Sequence, residues 1–180
     1  LDYLNSGKDM LVELGIADVD YAVGGGVAFG EMVVIAARPS HGKSAVALQC
    51  LDTSTRNGMN CLLISEEMSS LAIGKRAIQF ASDTPEEHWK TSLSEVTRDL
   101  SSHFEKRAKC FVAEGCRTSD RISEVVDYAV TNHGVRVVAV DYAQLIQSKG
   151  SNRYEQITNT SVALRQLANA HDIVVIVLAQ

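Results

Sequence analysis

Residues 32–44 read Met-Val-Val-Ile-Ala-Ala-Arg-Pro-Ser-His-Gly-Lys-Ser, in which an unbroken aliphatic run passes directly into a polar turn. Residues 44–57 follow with a helical pattern, and Gly58 is typical of a helix terminator. The aliphatic run is continuous rather than alternating, which is the pattern of a strand buried on both faces. This stretch therefore predicts a strand, a turn and a helix of an α/β protein.

Further aliphatic runs repeat this pattern along the chain. They are residues 61–64, 110–113, 137–140 and 173–178, of which 110–113 is the weakest. Longer helical patterns separate them, at 69–81, 92–109, 118–133 and 154–171. Strands that alternate with helices form parallel sheets. We predict one α/β domain with a parallel central sheet flanked by helices on both faces.

The last predicted helix has a stripe of residues at spacings of three and four. The stripe consists of Tyr154, Ile157, Ser161, Leu164 and Ala168. A stripe of this spacing lies on one side of a helix, so we predict that it packs on the sheet.

The composition fits an ordinary globular domain. Of 180 residues, 46% are hydrophobic, 22% charged and 6% aromatic, which excludes disorder, collagen and coiled coil. The longest apolar runs are far shorter than the roughly 20 residues of a membrane-spanning helix. A net charge of −5 provides no global basic field for nucleic acid. Four cysteines without a Cys-x-x-Cys pair indicate reduced thiols and a cytoplasmic protein.

The two ends of the sequence predict a part of a longer protein. Residue 1 is leucine rather than methionine, and the last predicted strand stops with the chain. We expect residues 1–180 to be a single domain that is truncated on its C-terminal side. Residues 1–30 are expected to be a lead-in, with a short helix at 16–23 before the glycine-rich turn at 24–26.

The turn after the first aliphatic run has the residues of a phosphate-binding loop without its first glycine, which Ala37 replaces. Backbone N–H groups and the helix N-terminus attract phosphate, Lys43 adds a charge beside the β and γ phosphates of a nucleotide, and Ser44 offers a hydroxyl to Mg²⁺. Ala37 argues against GTPases and most nucleotide kinases. The predicted nucleotide-binding residues are Arg38, Pro39, Ser40, His41, Gly42, Lys43 and Ser44.

Ligands of open parallel sheets bind beyond the carboxyl ends of the strands, so residues that follow aliphatic runs are candidates for chemistry. Asp141 follows the 137–140 run and is placed as an acid that holds Mg²⁺. Glu66 and Glu67 follow the second strand, which we place beside the phosphate-loop strand. One of them could activate the water that attacks the γ phosphate, or both could be helix N-terminal acids, and spacing does not choose. Gln180 follows the last strand and could hydrogen-bond the γ phosphate.

These motifs together resemble the motor domain of DnaB-family replicative helicases, a branch of the RecA-like ATPases. The matching residues appear in family order over nearly the whole chain. They are Ala36-Ala37-Arg38-Pro39-Ser40-x-Gly42-Lys43-Ser44, Ser65-x-Glu67-Met68, Asp141-Tyr142-x-Gln144-Leu145, Gln180 and, nine residues after Glu67, Arg76. The chain departs from the family pattern at His41, where methionine is usual, and at Glu66, where an apolar residue is usual.

The resemblance implies a RecA-like P-loop NTPase that hydrolyses ATP to move along single-stranded DNA and to unwind duplex during replication. It implies that Glu67 rather than Glu66 is the catalytic carboxylate, that Asp141 assists Mg²⁺, and that Gln180 senses the γ phosphate. It also implies a homo-hexameric ring in the full-length protein, with ATP between subunits and an arginine finger from the neighbouring one. Primase and a helicase loader are the further partners that it suggests.

The polar segment 147–153 is the candidate DNA contact. The family's equivalent loop faces the central channel of the ring, so Lys149 and Arg153 would contact phosphates of a single strand. A solvated connector explains this segment equally well.

Other functions stay open from the residues alone. The turn at 24–26 is reminiscent of RecA, RadA and KaiC type ATPases, which act in strand exchange or as switches. A nucleotide-dependent ring assembly or loader protein would bind ATP and hydrolyse it slowly. A metabolic phosphotransferase would need an acceptor pocket that the sequence does not indicate. The Asp141-Tyr142-x-Gln144-Leu145 string favours the helicase.

Overall fold

In a computed structural model, the chain alternates strands with helices in the predicted order. The structure describes residues 11–38, 40–82, 84–105, 107–141, 146, 150 and 152–179. The strands are β1 (Leu11–Val12), β2 (Val27–Ala28), β3 (Met32–Ala36), β4 (Asn60–Ser65), β5 (Cys110–Ala113), β6 (Val135–Asp141) and β7 (Val174–Ala179). The helices are α1 (Ala17–Ala22), α2 (Lys43–Arg56), α3 (Ser70–Ala81), α4 (Leu93–Phe104), α5 (Ser119–His133) and α6 (Arg153–His171), with a 3₁₀ turn at Glu86–His88.

One parallel sheet joins strands in the order β3-β7-β6-β4-β5. β3 pairs with β7 along its whole length, from Met32 opposite Val175 to Ala36 opposite Ala179. β6 pairs with β7 on one side and with β4 on the other. The prediction of a parallel central sheet is confirmed.

The strand order corrects the expected position of Glu66 and Glu67. These residues follow β4, which we predicted beside the phosphate-loop strand β3, but β7 and β6 lie between the two strands. Hydrophobic periodicity identifies a strand from its own residues and carries no information about its neighbours. The strand end that bears these residues is therefore separated from the phosphate-loop strand by two other strands.

Helices cover both faces of the sheet because its strands are apolar on both sides. Along β4, Leu62 and Ile64 belong to one core cluster, whereas Cys61 and Leu63 belong to the other. Helices α5 and α6 contribute to the first cluster, and α2 and α3 contribute to the second. Burial on two faces thus explains the unbroken runs of β4, β6 and β7. The runs of β3 and β5 lie at the edges of the sheet and are only partly buried, with Val34 53% exposed, so the prediction of burial on both faces was wrong for these two strands.

The cysteines are unpaired thiols, and all of them lie within the described parts of the chain. Burial raises the pKa of the Cys50 thiol to about 11 and also raises the pKa of Cys61. Neither thiol is therefore a reactive thiolate near neutral pH.

Most helix boundaries agree with the predictions to within one residue. The hydroxyls of Ser69 and Thr118 accept hydrogen bonds from backbone N–H groups one turn on, so α3 and α5 begin just after them. Helix α4 is shorter than the predicted 92–109. Its end at Phe104 frees the following residues to approach the sheet, where the Lys109 carbonyl accepts a 2.8 Å hydrogen bond from Cys61 N. Across the residues described, no helix has the length and apolar character needed to cross a bilayer.

The predicted stripe on α6 packs on the sheet over only half of the helix. Leu164 and Ala168 are buried, whereas Tyr154 is 80% exposed, Ile157 is 40% exposed and Ser161 is exposed. A helix of 19 residues is about 28 Å long, while a strand of six residues such as β7 spans about 20 Å. The first turns of α6 therefore extend beyond the carboxyl edge of the sheet.

A short lead-in, β1-α1-β2, precedes the sheet strands. The Asp20 carboxylate accepts hydrogen bonds from Leu14 N at 2.7 Å, Gly15 N at 3.0 Å and Ile16 N at 3.1 Å, which fixes the start of α1. Within the glycine-rich turn, Gly26 has a φ of +140°, and a Cβ there would lie 2.6 Å from the Val12 carbonyl oxygen. Only glycine allows β1 and β2 to approach this closely.

Asp52 joins α2 to α4 and to the segment before β5. Its carboxylate lies 2.7 Å from Arg56 Nη2 and 2.8 Å from His103 Nε2, and it also pairs with Arg107. Burial alone would raise the pKa of Asp52, but hydrogen bonds from Arg56 and His103 and the charge of Arg107 outweigh burial and lower it.

We expect Asp52→Asn to destabilise the fold by about 2 kcal/mol at pH 7, because it leaves the mostly buried Arg107 guanidinium without its counter-charge. A carboxyl whose pKa is lowered on folding stabilises the protein above its unfolded pKa of about 4, and that stabilisation is lost as pH falls through the folded pKa. Urea unfolding should therefore show the difference between wild type and Asp52→Asn shrinking below about pH 4. The exposed Glu31→Gln should change stability by less than about 0.5 kcal/mol.

Candidate functional site

The loop between β3 and α2 turns sharply at two residues of positive φ. Ser40 has a φ of +64°, and Gly42, the N-cap of α2, has a φ of +79°. A Cβ built on Gly42 meets no described atom within 4 Å, so glycine is required there by backbone conformation rather than by crowding. The loop thereby places the N-terminus of a 14-residue helix, the positive end of its dipole, at the carboxyl edge of the sheet.

Ser44 and Asp141 meet although they are 97 residues apart in sequence. Ser44 Oγ donates a 2.6 Å hydrogen bond to Asp141 Oδ2. Ser44 lies in the first turn of α2 and Asp141 ends β6, so the bond crosses the position of the intervening strand β7. The structure brings together the two residues that were predicted to hold a metal ion.

These two residues fit a magnesium ion. Asp141 is 3% exposed, and its Oδ1 has no hydrogen-bond partner among the residues that the structure describes. A buried carboxylate oxygen is costly unless a cation or a water satisfies it. Hydroxyl and carboxylate oxygens are ligands that Mg²⁺ prefers, so Ser44 and Asp141 could hold the metal of a bound nucleotide.

A cavity of about 730 Å³ opens in front of the loop. The loop and the start of α2 contribute Arg38, Ser40, Gly42, Lys43 and Ser44 to its wall. Lys43 is 8% exposed, so its charge is held within the wall rather than in bulk water. His41, another predicted binding residue, is exposed and does not line the cavity. Pro39 lies outside the described residues.

The structure places the side chains of Glu66 and Glu67, which spacing could not distinguish, in different surroundings. Glu67 is exposed and lines the cavity. The Glu66 side chain is only 4% exposed and does not line it, because its carboxylate accepts a hydrogen bond from Cys116 N and lies 3.3 Å from Arg117 Nε. Only Glu67 is therefore placed to act on a ligand in the cavity.

Helix α3 supplies the opposite wall of the cavity. Arg76, the position that matched the family pattern, lines it together with Gln79 and Phe80, which sequence reasoning missed. The three residues have helical spacings of three and four, so the predicted helix at 69–81 already placed them on one face. The sequence did not indicate that this face is oriented toward the phosphate loop rather than toward solvent.

The charges in the cavity favour a polyanion. Arg38, Lys43 and Arg76 face it, against the single carboxylate of Glu67 among the described lining residues. This local excess of positive charge stands out in a chain of net charge −5. Triphosphate is the type of ligand that such a wall attracts, since several cations and helix N–H groups can share its charge.

Several predicted residues lie outside the described part of the chain. Gln180, predicted to sense the γ phosphate, is one of them, as are Lys149 of the candidate DNA contact and Tyr142, Gln144 and Leu145 of the family string. Arg153, the other candidate DNA contact, is exposed at the first residue of α6.

Solved structures of other proteins share this architecture. One of them, described as an ATPase domain, superposes with a TM-score of 0.83 at 26% identity, covering 99% of this chain and 67% of that one. A DnaB-like replicative helicase, studied with its primase interactions, superposes with a TM-score of 0.79 at 29% identity over 94% of this chain and 43% of that one. The fold is therefore RecA-like, as predicted.

Curated sequences and a family model agree with the structural matches. A probable plasmid replicative DNA helicase of Chlamydia psittaci is 34% identical over 84% of this chain. Replicative DNA helicase DnaB of Geobacillus stearothermophilus is 26% identical over 83%. The chain spans 35% of the length of each of these relatives. The model of the DnaB-like helicase C-terminal domain matches residues 12–180, so the chain belongs to that family.

Proposed function

We propose that the protein is the ATP-hydrolysing motor of a replicative DNA helicase. One observation supports this most strongly: a single cavity is lined by the phosphate loop, by the Glu67 carboxylate and by Ser44, whose hydroxyl bonds to the buried Asp141 behind the wall. These are the groups that phosphoryl transfer to water requires, namely a phosphate cradle, a metal site and a base. Membership of the helicase family favours a motor over the recombination, switch and loader alternatives.

Each residue has a separate task in this mechanism. Lys43 and the N–H groups at the start of α2 bind the triphosphate and stabilise charge that develops on the γ phosphate. Ser44 and Asp141 hold Mg²⁺, which when bound neutralises phosphate charge. Glu67 orients the attacking water and accepts its proton as the new phosphorus–oxygen bond forms and ADP leaves. Gln180 is proposed to report the loss of the γ phosphate.

The partners and the assembly belong to the proposal as well. We place the protein in the cytoplasm as a homo-hexameric ring around single-stranded DNA, with Lys149 and Arg153 on the strand. Cations that contact phosphates bind without regard to sequence, as a translocating motor needs. Primase is a proposed partner, supported by the matched DnaB-like helicase that was studied with primase. A helicase loader is proposed from the family alone.

A forked-duplex assay on the complete protein tests this function. We expect ATP to drive strand separation, a non-hydrolysable ATP analogue to support none, and single-stranded DNA to stimulate hydrolysis many-fold. Strand pairing without unwinding would contradict the helicase assignment and favour a recombination ATPase. Nucleotide-dependent ring assembly with slow hydrolysis that DNA does not stimulate would instead indicate a loader.

A further inference from the structure

Two carboxylates connect the segment that carries Glu67 to a neighbouring loop. We call residues 66–70, from the end of β4 to the first residue of α3, the base segment, and residues 114–118, between β5 and α5, the brace loop. From the base segment, the Glu66 carboxylate accepts a hydrogen bond from Cys116 N and pairs with Arg117. From the brace loop, the Glu114 carboxylate accepts hydrogen bonds from both Ser70 N and Ser70 Oγ. Each segment thus supplies one carboxylate that accepts hydrogen bonds from the other, and the two contacts lie on either side of Glu67 in sequence.

We propose that Glu66 and Glu114 are positioning residues, which hold Glu67 at the cavity by fixing the base segment to the brace loop. This inference rests on the proposed function, because it matters only if Glu67 activates the attacking water. Neither carboxylate lines the cavity, so neither is assigned contact with the reacting atoms.

The burial of Glu66 keeps its side chain directed at the brace loop rather than at the cavity. Its side chain is 4% exposed, and Cys116 is 1% exposed. Rotating Glu66 toward the cavity would leave the Cys116 N–H without its acceptor, which costs about 1–3 kcal/mol for a buried group. Glu66 N also donates a 2.9 Å hydrogen bond to the carbonyl oxygen of Asp141, so the chain is still paired to β6 at this residue. Glu67 is the next residue, in the bend that follows β4, and its side chain lines the cavity while that of Glu66 contacts the brace loop.

The rest of the base segment is fixed as well. Met68 N donates a 3.1 Å hydrogen bond to Ser65 Oγ, and Ser69 caps α3. Hydrogen bonding to Ser70 lowers the pKa of Glu114, so the exposed Glu114 carboxylate is ionised at neutral pH and accepts both hydrogen bonds. Glu67 is thus the residue of the segment whose side chain is left for a ligand, on a backbone held at both ends. A base must lie within about 3 Å of the water oxygen whose proton it takes, and a displacement of about 1 Å can cost a hundredfold in rate.

The test compares variants of the complete protein in steady-state ATP hydrolysis and in binding of a non-hydrolysable ATP analogue. Glu66→Leu, which keeps the approximate volume but removes both acceptors, should lower kcat about ten- to a hundredfold. Glu114→Ala should do the same through Ser70. In both variants the Kd for the analogue should stay within twofold, because the phosphate loop is untouched. Glu66→Gln and Glu114→Gln keep one acceptor oxygen and should recover much of the lost kcat.

Control variants separate this inference from the proposed function. Glu87→Gln changes an exposed acid on the 3₁₀ turn and should leave kcat unchanged. If Glu67→Gln keeps wild-type turnover, the proposed role of Glu67 and this inference both fail. If Glu67→Gln stops turnover while Glu66→Leu and Glu114→Ala keep wild-type kcat, only the positioning inference is wrong. Should Glu66→Leu fail to fold, the exposed Glu114 decides alone. A fall in analogue affinity and thermal stability that matches the fall in kcat would indicate a merely structural role and overturn the inference.

Discussion

Replacing Glu67 with glutamine should reduce ATP hydrolysis by about 10²- to 10⁴-fold while nucleotide binding survives. The amide is nearly the same size as the carboxylate but cannot take a proton from water. Glu67 is exposed and lines the same cavity as the phosphate loop, and its replacement leaves the loop residues Lys43 and Ser44 in place to bind the nucleotide. Phosphate release stimulated by single-stranded DNA measures turnover, and titration with a fluorescent ATP analogue measures binding.

Glu95→Gln is the matched control for this experiment. Glu95 is an exposed acid in the first turn of α4 and does not line the cavity. Its replacement makes the same chemical change and should leave turnover unaltered. Turnover at the wild-type rate in Glu67→Gln would show that another group activates the water, and a parallel loss of binding would show that Glu67 acts on the nucleotide rather than on the water.

Replacing Lys43 with alanine should weaken ATP binding about a hundredfold or more and remove hydrolysis. Hydrogen bonds to charged groups contribute about 1.5–3 kcal/mol each, and the ammonium group can bond to both the β and γ phosphates. The effect should depend on the length of the phosphate chain. Affinity for AMP should change little, because AMP lacks the two phosphates that Lys43 is proposed to bind.

Lys90→Ala controls for the loss of a positive charge. Lys90 is exposed between the 3₁₀ turn and α4, away from the cavity wall. Calorimetric titration with ATP and AMP and thermal unfolding should be measured on both variants. An equal loss of affinity for ATP and AMP in Lys43→Ala would mean that the loop does not hold the β and γ phosphates, and unchanged ATP affinity would place the nucleotide elsewhere.

The sequence predicts the elements of this fold better than their arrangement. Unbroken aliphatic runs such as 137–140 identify buried strands because burial on both faces favours an apolar side chain at every position. The order of the strands depends on contacts between residues distant in sequence, and these contacts produce no recognisable pattern within a single strand. The expectation that Glu66 and Glu67 flank the phosphate-loop strand was wrong for this reason. The limited packing of α6 has a similar origin, since a helical stripe shows which side is apolar and not how far the sheet extends beneath it.

Some residues of the candidate site could likewise be predicted from the sequence, and others could not. The phosphate loop and Asp141 could be predicted because each motif combines a strand end with a polar residue of suitable chemistry. Spacing could not predict which of Glu66 and Glu67 lines the cavity, since adjacent acids have the same intrinsic chemistry and differ only in what surrounds them; the family resemblance favoured Glu67, which is the one that lines it. Gln79 and Phe80 were missed because amide and aromatic residues on a helix are ordinary surface and core residues until an opposite wall is known.

The backbone determines the distance between the phosphate loop, which follows β3, and Asp141, which ends β6. β3, which leads into the phosphate loop, and β6, which ends in Asp141, are separated by one strand. Neighbouring strands lie about 4.8 Å apart, so the two strand ends stand about 10 Å apart whatever side chains they bear. Point substitutions can alter the reactivity of the site, but the separation of its two strand ends is determined by the spacing of hydrogen-bonded strands in the sheet.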